Sequence, residues 1–114
     1  MTLSDKLARI SLGAFKSSGL KMVAVPASVR VIDGEAFRGC VALTSVTMES
    51  GVEIIGSNAF AGCGALKQVV LPESLTDIDA AAFKGSSAVV CTVVENSYAH
   101  NWCREIGVGY ALKE

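Results

Sequence analysis

The residues equipped to do chemistry in this chain are few: four cysteines, a single histidine and a short run of aspartates. Cys40 and Cys63 each stand three residues after a phenylalanine, and Ser18 and Ser86 hold the same place after two others. If such segments stack at strand spacing, about 4.8 Å, the two thiols fall within reach of a disulfide or of one shared metal ion. The column alternates with serine and brings no further ligand, so it reads instead as a ladder of small buried side chains at a tight turn. His100 and Cys103 form a His-x-x-Cys with Cys91 upstream, the outline of a zinc site, but His100 lies off the apolar stripe that carries Cys103 and the two face different centres. A lone histidine also leaves no nucleophile with a base oriented by a third group. Asp33 and Asp79 share one position relative to phenylalanine, with Asp77 two residues away, and acids at corners bond turn amides more readily than they act as an acid–base pair. No glycine-rich phosphate cradle of the G-x-G-x-x-G or G-x-x-x-x-G-K kind occurs. The expectation is a protein that is not an enzyme, with no catalytic residue, no cofactor and no metal.

The elements that would position any site follow from a repeat. Ala36-Phe37, Ala59-Phe60 and Ala82-Phe83 recur every 23 residues, and Ala14-Phe15 lies 22 residues before Phe37. A fixed period in the twenties marks a solenoid whose units bury their apolar faces only by stacking. Counted from each Phe, apolar residues fall in columns: Leu7, Val29, Val52 and Leu75 eight before; Ile10, Ile32, Ile55 and Ile78 five before; Leu43, Leu66 and Val89 six after, with Leu20 joining after a one-residue deletion. Val23, Val46, Val69 and Thr92 form the next column, and Leu3, Val25, Met48, Leu71 and Val94 the last. Each Leu-x-x-Val-x-Leu reads as a short strand with alternate residues facing the core. Pro26, Pro72 or Glu49 ends the strand, a second extended piece follows at 28–32, 51–55 and 74–78, and glycines close the corners. The four phenylalanines should stack as a buried spine, with each preceding Ala keeping the turn small.

The pattern V-x-L-P-x-S-L-T-x-I-x-x-x-A-F-x-G-x-x-x-L, best seen over Val69–Val89 and Val46–Leu66, resembles the leucine-rich repeat of the BspA-like, or Treponema, type. The resemblance covers nearly the whole chain. It implies a repeat solenoid, mainly β, with parallel strands on a concave face and irregular convex loops, and a non-catalytic adhesion or protein-binding role at the cell surface or in a secreted protein. The whole of 1–114 then reads as one solenoid: a partial first repeat over 1–15, full repeats over 16–88 and a C-terminal cap over 89–114.

At the C-terminal end, Ser97 can cap a helix running to about Ile106 and stopped by Gly107. Tyr98, Trp102 and Ile106, with Ala99 and Cys103, form its apolar stripe, leaving His100, Asn101, Arg104 and Glu105 to water. A short strand near Gly109–Leu112 follows. At the other end Leu3, Leu7 and Ile10 occupy the columns of a repeat whose first residues are missing, so the chain starts in mid-repeat. That predicts an open first rung, an N-terminal association edge formed by these three residues, and either a longer array or a homo-oligomer.

Composition narrows the partner. With a formal net charge of −1 the chain lacks the basic excess that nucleic acid requires. No segment approaches the roughly 18 apolar residues of a membrane span, so membrane insertion is not expected, and 1–10, with Asp5, Lys6 and Arg9, has no apolar signal region. The exposed columns of the concave face are Met22, Ser45 and Gln68, and Ala24, Thr47, Val70 and Val93, flanked by Lys21, Thr44 and Lys67. Strict counting places Cys91 on that face too, while a slip of one residue would bury it. A small, mildly apolar, nearly uncharged grid suits a protein or peptide. A structural spacer, or a unit that self-associates through its open edge, is the alternative.

Overall fold

The computed structural model describes residues 3–113 as one continuous coil of short strands. In chain order these are β1 (Arg9–Ile10), β2 (Met22–Val25), β3 (Val31–Ile32), β4 (Ser45–Met48), β5 (Ile54–Ile55), β6 (Gln68–Val70), β7 (Asp77–Ile78), β8 (Val90–Val93), helix α1 (Tyr98–Ile106) and β9 (Gly109–Leu112). Alternate strands belong to two parallel sheets. A wide sheet runs β2-β4-β6-β8-β9 and a narrow one β1-β3-β5-β7. The repeat dictates the register: Met22 pairs with Ser45 and Ser45 with Gln68, while Ile10, Ile32, Ile55 and Ile78 pair in succession. The second extended piece is therefore itself a ladder, two residues wide, rather than an irregular connection.

The corner carrying Ala-Phe forms a third set of rung-to-rung bonds. The Phe15 amide donates to the Ala36 carbonyl at 2.8 Å, Phe37 to Ala59 at 2.7 Å and Phe60 to Ala82 at 2.8 Å. Each alanine is thus the acceptor for the phenylalanine one rung earlier, and its small side chain lets the backbones close up. Holding the backbones in register stacks the rings: Phe15–Phe37, Phe37–Phe60 and Phe60–Phe83 have centroids 5.3, 5.1 and 5.3 Å apart with interplanar angles of 12°, 3° and 9°. Two residues beyond each ring the backbone turns left-handed, at Ser17, Gly39, Gly62 and Gly85, a conformation that glycine adopts without steric cost.

One apolar core runs the length of the coil, filled by the isoleucine, leucine, valine and phenylalanine columns. The last rung departs from strict counting. Gln68 pairs with Val90, Val69 with Cys91 and Val70 with Thr92, each 22 residues on, because one residue is missing between the inward Val89 and the next inward position. Cys91 and Val93 are consequently buried, and Thr92 and Val94 are half-buried instead of enclosed.

Beyond that rung, Ser97 caps α1 by accepting from the His100 amide at 3.1 Å, and Gly107 ends it in the left-handed region. Ala99, Trp102 and Cys103 pack inward as the stripe requires, but Tyr98 and Ile106 remain exposed. His100 is the reverse case: expected in water, it is only 6% exposed. β9 returns beside β8 and lays Tyr110 edge-on against its ring, at 4.9 Å between centroids, while the Asn96 amide donates to its Nδ1 at 2.9 Å. Tyr98 finishes the narrow sheet, its hydroxyl accepting from the Ile78 amide at 3.1 Å.

Candidate functional site

The wide sheet presents one face to the core and one outward, and strand alternation decides which side chains are available. Met22, Ser45, Gln68 and Val90 make one outward column, Ala24, Thr47, Val70 and Thr92 the next. Met22 is 60% exposed, and Ser45, Val70 and Thr92 are half-buried between their neighbours. Val93, expected on this face, is corrected: it is 1% exposed and points into the core, and Thr92 stands in its place because of the missing residue in the last rung. β9 extends the outward columns with Gly109 and Ala111, which pair with Val90 and Thr92.

Charge is confined to the margins of this face. Lys21 and Lys67 stand where strands begin, Glu49, Glu73 and Glu95 where they end, and all five are exposed. Along the glutamate margin lies a groove of about 320 Å³ lined by Thr47, Val70 and Thr92 of the outward column, by Glu49 and Glu73, and by Lys113 just beyond β9. Glu49 uses one carboxylate oxygen to accept from the Ala27 amide at 3.1 Å. The ion pairs among the described residues lie elsewhere, from Arg9–Asp33 and Arg30–Glu53 beside the narrow sheet to Lys16 and Arg38 around Glu35 at the aromatic corner. There Arg38, hydrogen-bonded to Glu35, holds that carboxyl below its ordinary range, with Lys16 assisting.

The cysteines belong to the core. The Cys40 thiol donates to the Phe15 carbonyl and the Cys63 thiol to the Phe37 carbonyl, both at 3.1 Å, and Ser86 does the same to Phe60 at 2.6 Å. Thiol and hydroxyl thus perform one task, satisfying a carbonyl of the preceding corner. Burial pushes the Cys63 thiol up to about 11. Cys91 and Cys103 meet between the last rung and α1, where the hydrogen bond between them raises the Cys91 thiol, burial adding to it, and lowers Cys103. Asp33 and Asp79 accept from the corner amides of Gly34 and Ala81 at 2.9 and 2.8 Å. Among the described residues no group of three or more His, Cys, Asp or Glu side chains is gathered as a metal site.

The N-terminal edge is built differently from the expected one. Leu3 and Ile10 are buried and Leu7 is half-buried, because the second rung already covers them. Among the described residues of this end, Leu12 is a large apolar side chain left exposed, at 70%.

The pattern defining the family "BspA type Leucine rich repeat region (6 copies)" matches residues 1–100. The chain belongs to the BspA-type leucine-rich repeat family. In this BspA-type repeat the two parallel sheets and the aromatic spine follow one shared interval from rung to rung. The chain is also similar to the crystal structure of a leucine rich cell surface protein from Faecalibacterium prausnitzii A2-165, with 28% identity and a TM-score of 0.60, over 87% of this chain and 32% of that one. It therefore spans about a third of that protein's length. No curated protein matches it. No helix among the described residues is long and apolar enough to cross a membrane.

Proposed function

We propose that this BspA-type repeat is a non-catalytic protein-recognition module of a larger surface protein, and that it binds through the outward face of the wide sheet. The observation that carries the reading is the grid of Met22, Ser45, Gln68, Ala24, Thr47 and Val70, held in fixed register by parallel pairing. Such a grid is preorganised, so a partner bears little of the ordering cost of binding. The cell-surface character of the Faecalibacterium protein supports the setting. The test compares partner capture by immobilised wild type and by the Gln68→Lys/Val70→Asp variant. The reading expects a protein retained by the first and lost from the second at unchanged thermal stability. Equal retention by both would overturn it.

A second reading, a spacer or self-associating unit using the N-terminal end, is favoured by the place of β1 at the end of the narrow sheet and by exposed Leu12. Sedimentation over a concentration series, with Leu12→Lys beside the wild type, tests it. A concentration-dependent dimer lost in the variant supports this reading, and a monomer throughout sinks it.

A further inference from the structure

We infer that the groove along the ends of the wide-sheet strands takes an extended segment of a partner protein with an arginine or lysine seated between Glu49 and Glu73. This deepens the proposed function and rests on it. Three observations converge. The face is small: five paired strands about 4.8 Å apart and at most four residues long at about 3.3 Å per residue make a patch of roughly 19 by 13 Å, well short of a standard two-domain interface but matched to one extended segment. Its floor is made of short or β-branched side chains, Thr47, Val70 and Thr92, which leave room for a backbone to lie close. Its charge is uneven along that margin. Glu49 and Glu73 occupy adjacent rungs at one margin, and Lys113, two rungs beyond Glu73 across β8 and β9, is the cation of the groove.

Glu73 makes no ion pair or side-chain hydrogen bond among the described residues, and Glu49 keeps one carboxylate oxygen beyond the one that caps Ala27. Both carboxylates line the groove, a guanidinium fork fits the two oxygens of one carboxylate, and hydrogen bonds with both partners charged are the stronger kind. Lys21 and Lys67, at the opposite margin, would repel the same cation, so the face also fixes on which side the basic residue lies. A segment carrying an acidic residue in that position would meet like charge at Glu73.

The test uses the full chain and fluorescein-labelled peptides acetyl-Thr-Val-Xaa-Val-Thr-amide, with Xaa arginine, citrulline or glutamate, read by fluorescence anisotropy. The arginine peptide is expected to bind about tenfold tighter than its neutral citrulline isostere. Glu73→Gln should erase that preference at unchanged melting temperature, and Glu73→Asp should restore part of it. Equal affinity of the arginine and citrulline peptides, with both lost in Gln68→Lys/Val70→Asp, would overturn the charge assignment while leaving the face as a binding surface. No anisotropy change with any peptide up to millimolar concentration would overturn the segment as occupant, while the capture experiment separately decides the face. Sedimentation of the chain alone covers the remaining occupant: a dimer abolished by Glu73→Lys would show that a second copy fills the groove, and would also overturn the proposal.

Discussion

Trp102 meets Phe83 at a tilt of 58°, with 5.9 Å between ring centroids, and so ends the aromatic column that runs parallel through the four phenylalanines. A fifth parallel ring would invite a further rung. A tilted indole carried on α1 instead covers the last ring of the column.

The stack carries a ranking that calorimetry or denaturant unfolding can check. Phe60→Ala removes a fully buried ring with a ring on either side and is expected to cost about 3–5 kcal/mol. Trp102→Ala should fall in the same range of about 3–5 kcal/mol, since the indole is also buried. Phe15→Ala should cost clearly less, because Phe15 is half-exposed and stacks on one side only. Equal losses at Phe15 and Phe60 would mean that stacking does not determine the stability of the column.

Alkaline pH should reveal the buried thiol ladder. The folded chain keeps the Cys63 proton up to about 11, while the unfolded chain releases it near 9.0. Between those values the native state binds more protons, so Cys63's contribution is whole below pH 9 and is lost as pH rises toward 11, by about 2–3 kcal/mol at most. Cys63→Ser keeps a donor for the Phe37 carbonyl, as Ser86 does for Phe60, and is expected to retain neutral-pH stability while flattening that decline. Urea midpoints at pH 8, 9, 10 and 11 for both proteins would show it. An unchanged slope would remove Cys63 as its source.

Gly51 and Gly64 look alike in the sequence and should behave oppositely. Gly51 sits at φ +145° where a Cβ would lie 2.2 Å from the Ala27 carbonyl oxygen, whereas nothing stands within 4 Å of a Cβ at Gly64. Gly51→Ala should therefore destabilise by at least about 1–3 kcal/mol, and Gly64→Ala should be neutral or stabilise by up to about 1 kcal/mol. Melting temperatures of the two variants decide the matter. A tolerated Gly51→Ala would require the strand end at Glu49–Ser50 to shift.

The columns from Leu3 to Ile78, the aromatic spine and the Ser97-to-Gly107 cap were legible because each is written several times or in strong local signals. Stacking requires equivalent residues to recur at equal intervals, so the period itself carries the register of β2, β4 and β6. The signal thins where the period breaks. One absent residue after Val89 turns Val93 inward and brings Thr92 out, and no count from Phe83 can locate that deletion. His100 fails for another reason, since helical periodicity sees only the helix and not the strand that comes back over it. The groove was not legible at all, because Glu49, Glu73 and Lys113 come from three different turns.

By itself the sequence determined the repeat, its family and which residues face inward wherever the 23-residue interval holds, because an apolar face must find the same face one rung away. Only the tertiary structure decided the second sheet, the use of Ser and Cys as donors to the phenylalanine carbonyls, the burial of Cys91, Val93 and His100, and the gathering of charge at the margins of the wide sheet. Those features depend on which backbone groups and side chains from separate turns come within bonding distance, and that distance is set by the closed coil rather than by any segment of it.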